Sequence, residues 1–295
     1  MTTIQRTNSR SLWETLIYRL RPARTLQLLS AHAFLVAYTL LALGPVALIV
    51  MNSVKSRRAI FKTPYALPSK ETWDTVGYEK VWSRASFPHY FMNSIIVTVT
   101  ALFFILIFGS MAAWALAEYR FPGNGIMGLY LALGIMIPIR LGTVSLLRLM
   151  VKMNLVDTLW ALILVYTAQG LPLSVFILTH FMKTVPRDLK DAARVDGASE
   201  YRIYRMILPL VRPAVGTVMV FNMIPIWNDL WFPLILAPSD RNKTVTLGAQ
   251  TFLGQFVNDW NAVLASLTLA MVPMIILYVI FSRQLIRGLT AGAVK

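Results

Sequence analysis

The sequence predicts an all-α, polytopic membrane protein with about six transmembrane helices, and three observations predict it. Of 295 residues, 57% are hydrophobic and only 14% charged, more apolar surface than a water-soluble domain of this size can hide. Six apolar runs each reach the ~20 helical residues that a bilayer core requires. Between the fourth and fifth lies a polar stretch, Asp188 to Pro213, patterned as two short amphipathic helices.

Charge and cysteine content narrow the class. The 28 Lys and Arg against 13 Asp and Glu give a formal charge of +15, but the basic residues lie between apolar spans and not along one aromatic-rich surface. Membrane topology and lipid headgroups account for them, and no nucleic-acid partner is implied. The absence of cysteine excludes a disulfide framework and a thiolate metal site.

Residues 1–30 form a basic amino-terminal tail, with Arg6, Arg10, Arg19, Arg21 and Arg24 against the single acid Glu14. This composition predicts a cytoplasmic position. Leu12, Trp13, Leu16, Ile17 and Leu20 share one helical face, as in a helix lying in the membrane interface. The apolar run that follows is too long for a cleaved leader and lacks a small-residue cleavage site, so it is expected to be retained. Spans are placed near 31–53, 90–117, 126–147, 158–182, 213–236 and 262–282, which makes 31–283 the transmembrane domain and 284–295 a second cytoplasmic tail. An even number of spans puts both termini on the inner side, with the segment 184–212 inside as well. Sixteen of the 28 Lys and Arg then fall inside, a bias of the expected sign. The outer loop 54–89, with Trp73, Tyr78, Trp82 and Pro88, suits either a folded extracytoplasmic surface or an aromatic interface belt. The inner loop 118–125 reads as a tight turn.

Polar groups inside spans are costly and mark candidate sites. Arg140 follows Pro138 about two-thirds of the way through the third span; it either faces a wet cavity, where it can hold a hydroxyl-rich or anionic solute, or snorkels to the outer headgroups. Asn228 and Asp229 lie between Pro225 and Pro233 in the fifth span. Proline on both sides loosens the backbone ladder, so the pair either lines a pathway or makes an interhelical hydrogen bond. Gln169 and Gly170, before Pro172, form a weaker break in the fourth span.

The polar stretch itself opens with a helix in which Leu189, Ala192, Ala193 and Val195 make an apolar face and Lys190, Asp191, Arg194 and Asp196 a charged one. Gly197 ends it. A second run, Tyr201, Ile203, Tyr204 and Ile207, leads to Pro209 and Pro213. On these residues alone the stretch is either a connecting loop or a docking elbow. No catalytic set accompanies it: His32, His89 and His180 are far apart and unpaired with acids at metal-ligand spacing. Nor is there a glycine loop to cradle phosphate, so the chain is expected to be no enzyme, to bind no cofactor, and to depend on an engine supplied from outside.

Asp191-Ala192-Ala193, then Asp196-Gly197-Ala198, then Ile207-Leu208-Pro209 resemble the EAA loop of the membrane subunits of binding-protein-dependent ABC importers. Trp227-Asn228-Asp229 with Pro233-Leu234, the terminal Arg287-Gly288-Leu289-Thr290-Ala291-Gly292-Ala293-Val294-Lys295, Met136-Ile137-Pro138 and Phe121-Pro122-Gly123 look like the carbohydrate-uptake, maltose-type branch. The resemblance runs from about residue 31 to the end. Two departures stand out: Asp191 replaces the usual glutamate, and Gly197 to Pro209 is one residue shorter than the family pattern.

The resemblance implies a permease subunit of the bacterial inner membrane whose elbow is a cytoplasmic coupling helix, seated through Asp191 to Ala198 and Leu208-Pro209 in a separate ATPase that holds the ATP and magnesium. It further implies a second, different permease subunit, an extracytoplasmic binding protein that delivers a sugar or related solute, and alternating access driven by ATPase closure. A self-contained secondary transporter or channel, with Arg140 and Asp229 as its ionic path, is the alternative. It should show duplicated halves, and none is evident. An intramembrane enzyme ranks last for want of a nucleophile, base or metal pattern.

Overall fold

The computed structural model describes residues 22–83, 86–253 and 258–291. The interfacial helix expected around Leu12 to Leu20 lies outside them, as do the last four residues of the carboxyl-terminal tail. Within them no strand forms beyond isolated bridges, and the all-α expectation holds.

Helix α1 (Pro22–Ser53) starts nine residues ahead of the predicted span, with proline in its first turn, where the missing N–H costs nothing. Its apolar residues point outward, Leu40 and Leu41 among them, and it meets the bundle through the last helix. Two short helices, α2 (Arg57–Lys62) and α3 (Val76–Ser83), fold the outer loop. They are organised around Lys55, which is fully buried and donates its ammonium to the carbonyls of Thr63, Pro64 and Ala66. The loop is folded, with Trp73 and Trp82 left exposed on it.

The central pair is α4 (Phe87–Glu118) and α7 (Leu159–Thr184). Gly109 faces the Ser174 side chain across their interface, the small-residue contact typical of helices packed in lipid. The break expected at Gln169-Gly170 does not occur. Helix α7 continues without interruption through Pro172, and Gly170 serves packing: a Cβ there would overlap Ile105 of α4 and the Asn222 amide.

The third span is not one helix. Helix α5 (Asn124–Met136) stops, a 3-10 turn covers Ile139–Gly142, and α6 (Thr143–Lys152) departs at 85°. Pro138 explains this, since it removes an N–H and forces Ile137 into extended backbone (ψ 120°). After α7 come the elbow helices α8 (Arg187–Val195) and α9 (Glu200–Ile207). The fifth span is likewise shorter than predicted: α10 (Arg212–Asn228) ends at an extended Asp229, and α11 (Trp231–Leu236) follows separately. A short α12 (Val245–Ala249) precedes α13 (Trp260–Ala291), which continues past its predicted end at 282.

Among the described residues four helices are individually long and apolar enough to cross a membrane, and up to six spans result if the bent pairs, α5 with 139–152 and α9 with α10, are each one crossing. The core gathers α4, α7, α9 and α10 around Ile105, Leu162, Leu178, Ile203 and Val218. Within it Asn222 donates to the Ser174 hydroxyl at 3.1 Å, and that hydroxyl donates to the Gly170 carbonyl at 2.7 Å. Such satisfied polar contacts tie helices together where hydrocarbon offers no partner.

Candidate functional site

Two polar clusters lie at opposite ends of α7. The first is the elbow. Helix α8 ends because Gly197 takes a left-handed φ of +75°, which lets Gly197 N–H donate to Arg194 O at 3.0 Å and Ala198 N–H to Ala193 O at 2.9 Å. These two bonds are the Schellman closure of a helix. Ser199 then caps α9 by accepting from Arg202 N–H, as its type and position favour. Ile203 and Ile207 of α9 are fully buried, and the Tyr204 hydroxyl meets Ser110 of α4 at 2.7 Å.

Two cations of α8 depart from the usual amphipathic rule and turn to the bundle, while Asp191 and Asp196 stay exposed. Lys190 is buried, donates to Glu118 at 2.8 Å, and lies 5.6 Å over the Trp114 ring. Arg194 bridges Glu118, Glu200 and Asp191, and Tyr119 donates to Glu200 at 2.8 Å. Hydrogen bonds donated to Glu200 and then Glu118 push the Arg194 guanidinium still higher than its ordinary range. The Glu200 carboxyl is held below its own, chiefly by Arg194. The apolar stripe Leu189, Ala192 and Val195 faces outward instead, with Val195 88% exposed. Asp196 is exposed beside it, whereas Ala193, Ala198 and Leu208 pack against the protein's own core and Pro209 lies at the surface. Glu118, the acid on which this clasp centres, was invisible in the sequence: it ends a span and pairs with residues more than seventy positions away.

The second cluster lies roughly 26 Å farther along α7, counting 1.5 Å per residue from Lys183 to Tyr166. Here Arg140 and Asp229, both singled out by sequence, are brought together at 3.2 Å. Arg140 sits in the 3-10 turn beyond the Pro138 break and not within a straight span. Asp229 is almost buried, and it also accepts the Tyr166 hydroxyl at 2.9 Å and the backbone N–H groups of Trp231 and Phe232 at 3.2 and 3.1 Å. Its acceptor sites are therefore filled by the broken ends of the third and fifth spans and by α7. Trp231 donates to Thr143 at 3.0 Å across the same junction. Asn228 and Gln169 do not join: Asn228 is exposed and bonds back to Ile224 O, and Gln169 is exposed on α7. Tyr166 is the partner sequence reasoning missed; one tyrosine in an apolar run carries no distinguishing pattern. No group of three or more metal-ligating side chains occurs among the described residues.

A bundle of membrane-length helices, with two spans interrupted near one end and an amphipathic elbow clasped to the other, defines a multi-pass membrane component that presents one helix outward. Residues 95–291 match the family described as the binding-protein-dependent transport system inner membrane component, and the chain belongs to that family. It is 37% identical over 268 residues to a putative ABC transporter permease protein of Caldicellulosiruptor sp. (strain Rt8B.4), covering 89% of this chain and 95% of that one. A diacetylchitobiose uptake system permease protein of Streptomyces coelicolor is 30% identical over 268 residues, with 90% of this chain and 88% of that one covered. A melibiose/raffinose/stachyose import permease protein of Bacillus subtilis is 33% identical over 220 residues, covering 74% and 80%. The crystal structure of a bacterial ABC transporter involved in the import of the acidic polysaccharide alginate contains a chain with the same fold, at a TM-score of 0.75 and 23% identity, covering 89% of this chain and 97% of that one. The protein is thus an inner-membrane permease component of an ABC import system.

Proposed function

We propose that this permease imports a sugar or related polyhydroxylated solute delivered by an extracytoplasmic binding protein, and that its elbow couples the spans to a separate ATPase. The single observation that carries the coupling is the facing of α8. Lys190 and Arg194 are spent inside the chain, on Glu118 and Glu200, while Leu189, Ala192 and Val195 are left outward. An exposed apolar helix stripe rigidly fixed to two spans is what a helix-in-groove contact requires. Relatives named for diacetylchitobiose and for melibiose, raffinose and stachyose support a carbohydrate solute.

In this reading the ATP and magnesium belong to the ATPase, and this chain has no catalytic site or cofactor of its own. The elbow end and both tails, 1–30 and 284–295, face the cytoplasm; residues 31–283 form the permease body beside a second, different permease subunit. Asp191, Ala192, Arg194, Asp196, Gly197 and Pro209 shape the contact, while Ala193, Ala198 and Leu208 seat it on the bundle. ATPase closure displaces the elbow, and α4 and α9 carry that displacement to the spans through Glu118 and Tyr204. At the far end the Arg140–Asp229–Tyr166 cluster joins three spans and gates the pathway between conformations, a two-state element whose balance nucleotide and binding protein both bias. Co-purification and uptake test this together. The complex should contain an ATPase and a second permease and should move sugar only with ATP and binding protein; transport by this chain alone in vesicles would overturn it.

A further inference from the structure

Two cavities meet at the elbow end. The first, about 640 Å³, lies between the 118–124 turn, the end of α7 and the start of α8, and its wall carries Arg120, Lys183, Arg187, Lys190 and Arg194 against Glu118 and Asp191. The acids are already engaged by Lys190 and Arg194. Arg120, Lys183 and Arg187 form no ion pair with a described residue, so three positive charges remain for a ligand. The second cavity, about 330 Å³, shares Leu116, Asn124 and Lys183 with the first and runs between α5 and α7 past Gly128, Leu131, Val175 and Phe176. From Lys183 to Val175 it follows α7 for roughly 12 Å, from the charged end of that helix toward its apolar middle. The Thr179 hydroxyl on its wall is buried without a hydrogen-bond partner.

A soluble anion would use only the first cavity, and an uncharged tail only the second. A basic pocket at the bilayer surface that opens into an apolar groove between two spans matches a molecule that is anionic at one end and aliphatic at the other. We infer that the paired cavities bind one anionic phospholipid, its phosphate held by Arg120, Lys183 and Arg187, one acyl chain in the groove between α5 and α7, and its ester region within reach of Thr179. The headgroup then lies against Lys190, Asp191 and Arg194, so the lipid braces the elbow from its membrane side. That last consequence rests on the coupling proposed above; the binding itself does not.

The test is native mass spectrometry of the purified transport complex, exchanged from mixed micelles containing phosphatidylglycerol or phosphatidylcholine, with ATP-driven uptake measured separately. The complex should retain one phosphatidylglycerol per copy of this chain and at least tenfold less phosphatidylcholine. Arg120→Gln with Lys183→Gln should cut retention about thirtyfold, through loss of two headgroup charges. Gly128→Phe, placed where a Cβ meets open space, should fill the groove and lower retention without preventing assembly. Equal retention of both lipids, full retention by the double variant, or displacement by millimolar inorganic phosphate with Gly128→Phe silent would each overturn the inference. Charge-selective retention together with uptake indifferent to the lipid would uphold the site and count against its bracing role alone.

Discussion

Glu118→Gln strikes the clasp between elbow and bundle at its centre. The carboxylate is mostly buried, with 11% of its side chain exposed, and it accepts from Lys190, 4% exposed, and from Arg194, 34% exposed. Removing one member of a buried pair costs about 3–5 kcal/mol, because the other charge is left uncompensated. The low end applies, since Arg194 keeps Glu200 and Asp191 and Lys190 keeps the Trp114 face. A loss of about 3 kcal/mol shifts seating of the elbow by roughly a hundredfold. In reconstituted complexes this should appear as uptake reduced at least tenfold, with ATP hydrolysis continuing but no longer stimulated by the binding protein. Adding Lys190→Met removes the stranded charge and should restore much of the coupling, because an apolar replacement of a buried pair is close to neutral. Wild-type uptake in Glu118→Gln, or a double variant weaker than the single one, would refute the reasoning.

Further perturbations separate the elbow from the far cluster. Gly197→Val should uncouple uptake while leaving insertion intact: a Cβ there meets nothing within 4 Å, so the cost of about 1–2 kcal/mol is purely that of φ +75°. Gly197→Asn, which tolerates that conformation, should stay near wild type, and equal loss in both would point to contact chemistry instead. Asp191 is 63% exposed and paired only with Arg194, worth less than ~1 kcal/mol to the fold. Asp191→Lys should therefore leave thermal stability unchanged yet weaken pull-down of the ATPase at least fivefold, more than Asp191→Glu does. Arg140→Ala should lower uptake without loss of assembly, whereas Asp229→Ala, which strands Tyr166 and two backbone N–H groups, should also lower thermal stability by about 2–3 kcal/mol; the reverse order would remove Asp229 from the centre of the cluster. Because the Glu200 carboxyl is held below its ordinary 4.5, its contribution is complete above that pH and is lost as pH falls through the folded value. Amide exchange over 200–207, corrected for intrinsic rate, should accelerate only below about pH 4.5; a midpoint near neutrality would exclude Glu200 as the cause.

Much of this architecture is written in local pattern. Hydropathy locates the long helices, and Gly197 marks a turn that the backbone makes there. The third and fifth spans are each read as one continuous crossing because apolar length is weighed ahead of Pro138 and the Asp229 cap, which decide where helices stop. Periodicity placed Leu189, Ala192 and Val195 on one face of α8 but not what that face meets, and burial of Lys190 reversed the usual assignment. Arg140 and Asp229 were legible one by one as costly intramembrane charges. Their pairing, like that of Glu118 with Arg194 or Asn222 with Ser174, depends on how separate helices pack, and no sequence spacing encodes it.

The coupling role of α8 is tested most directly by cross-linking. The chain contains no cysteine, so Val195→Cys supplies a single thiol at the most outward point of the elbow, and Leu67→Cys a control that is 81% exposed in the outer loop. With a short photoactivatable thiol reagent on the assembled complex, the Val195→Cys chain should join the ATPase subunit and the Leu67→Cys chain should not. An ATPase adduct absent at position 195, or equal at both positions, would contradict the account.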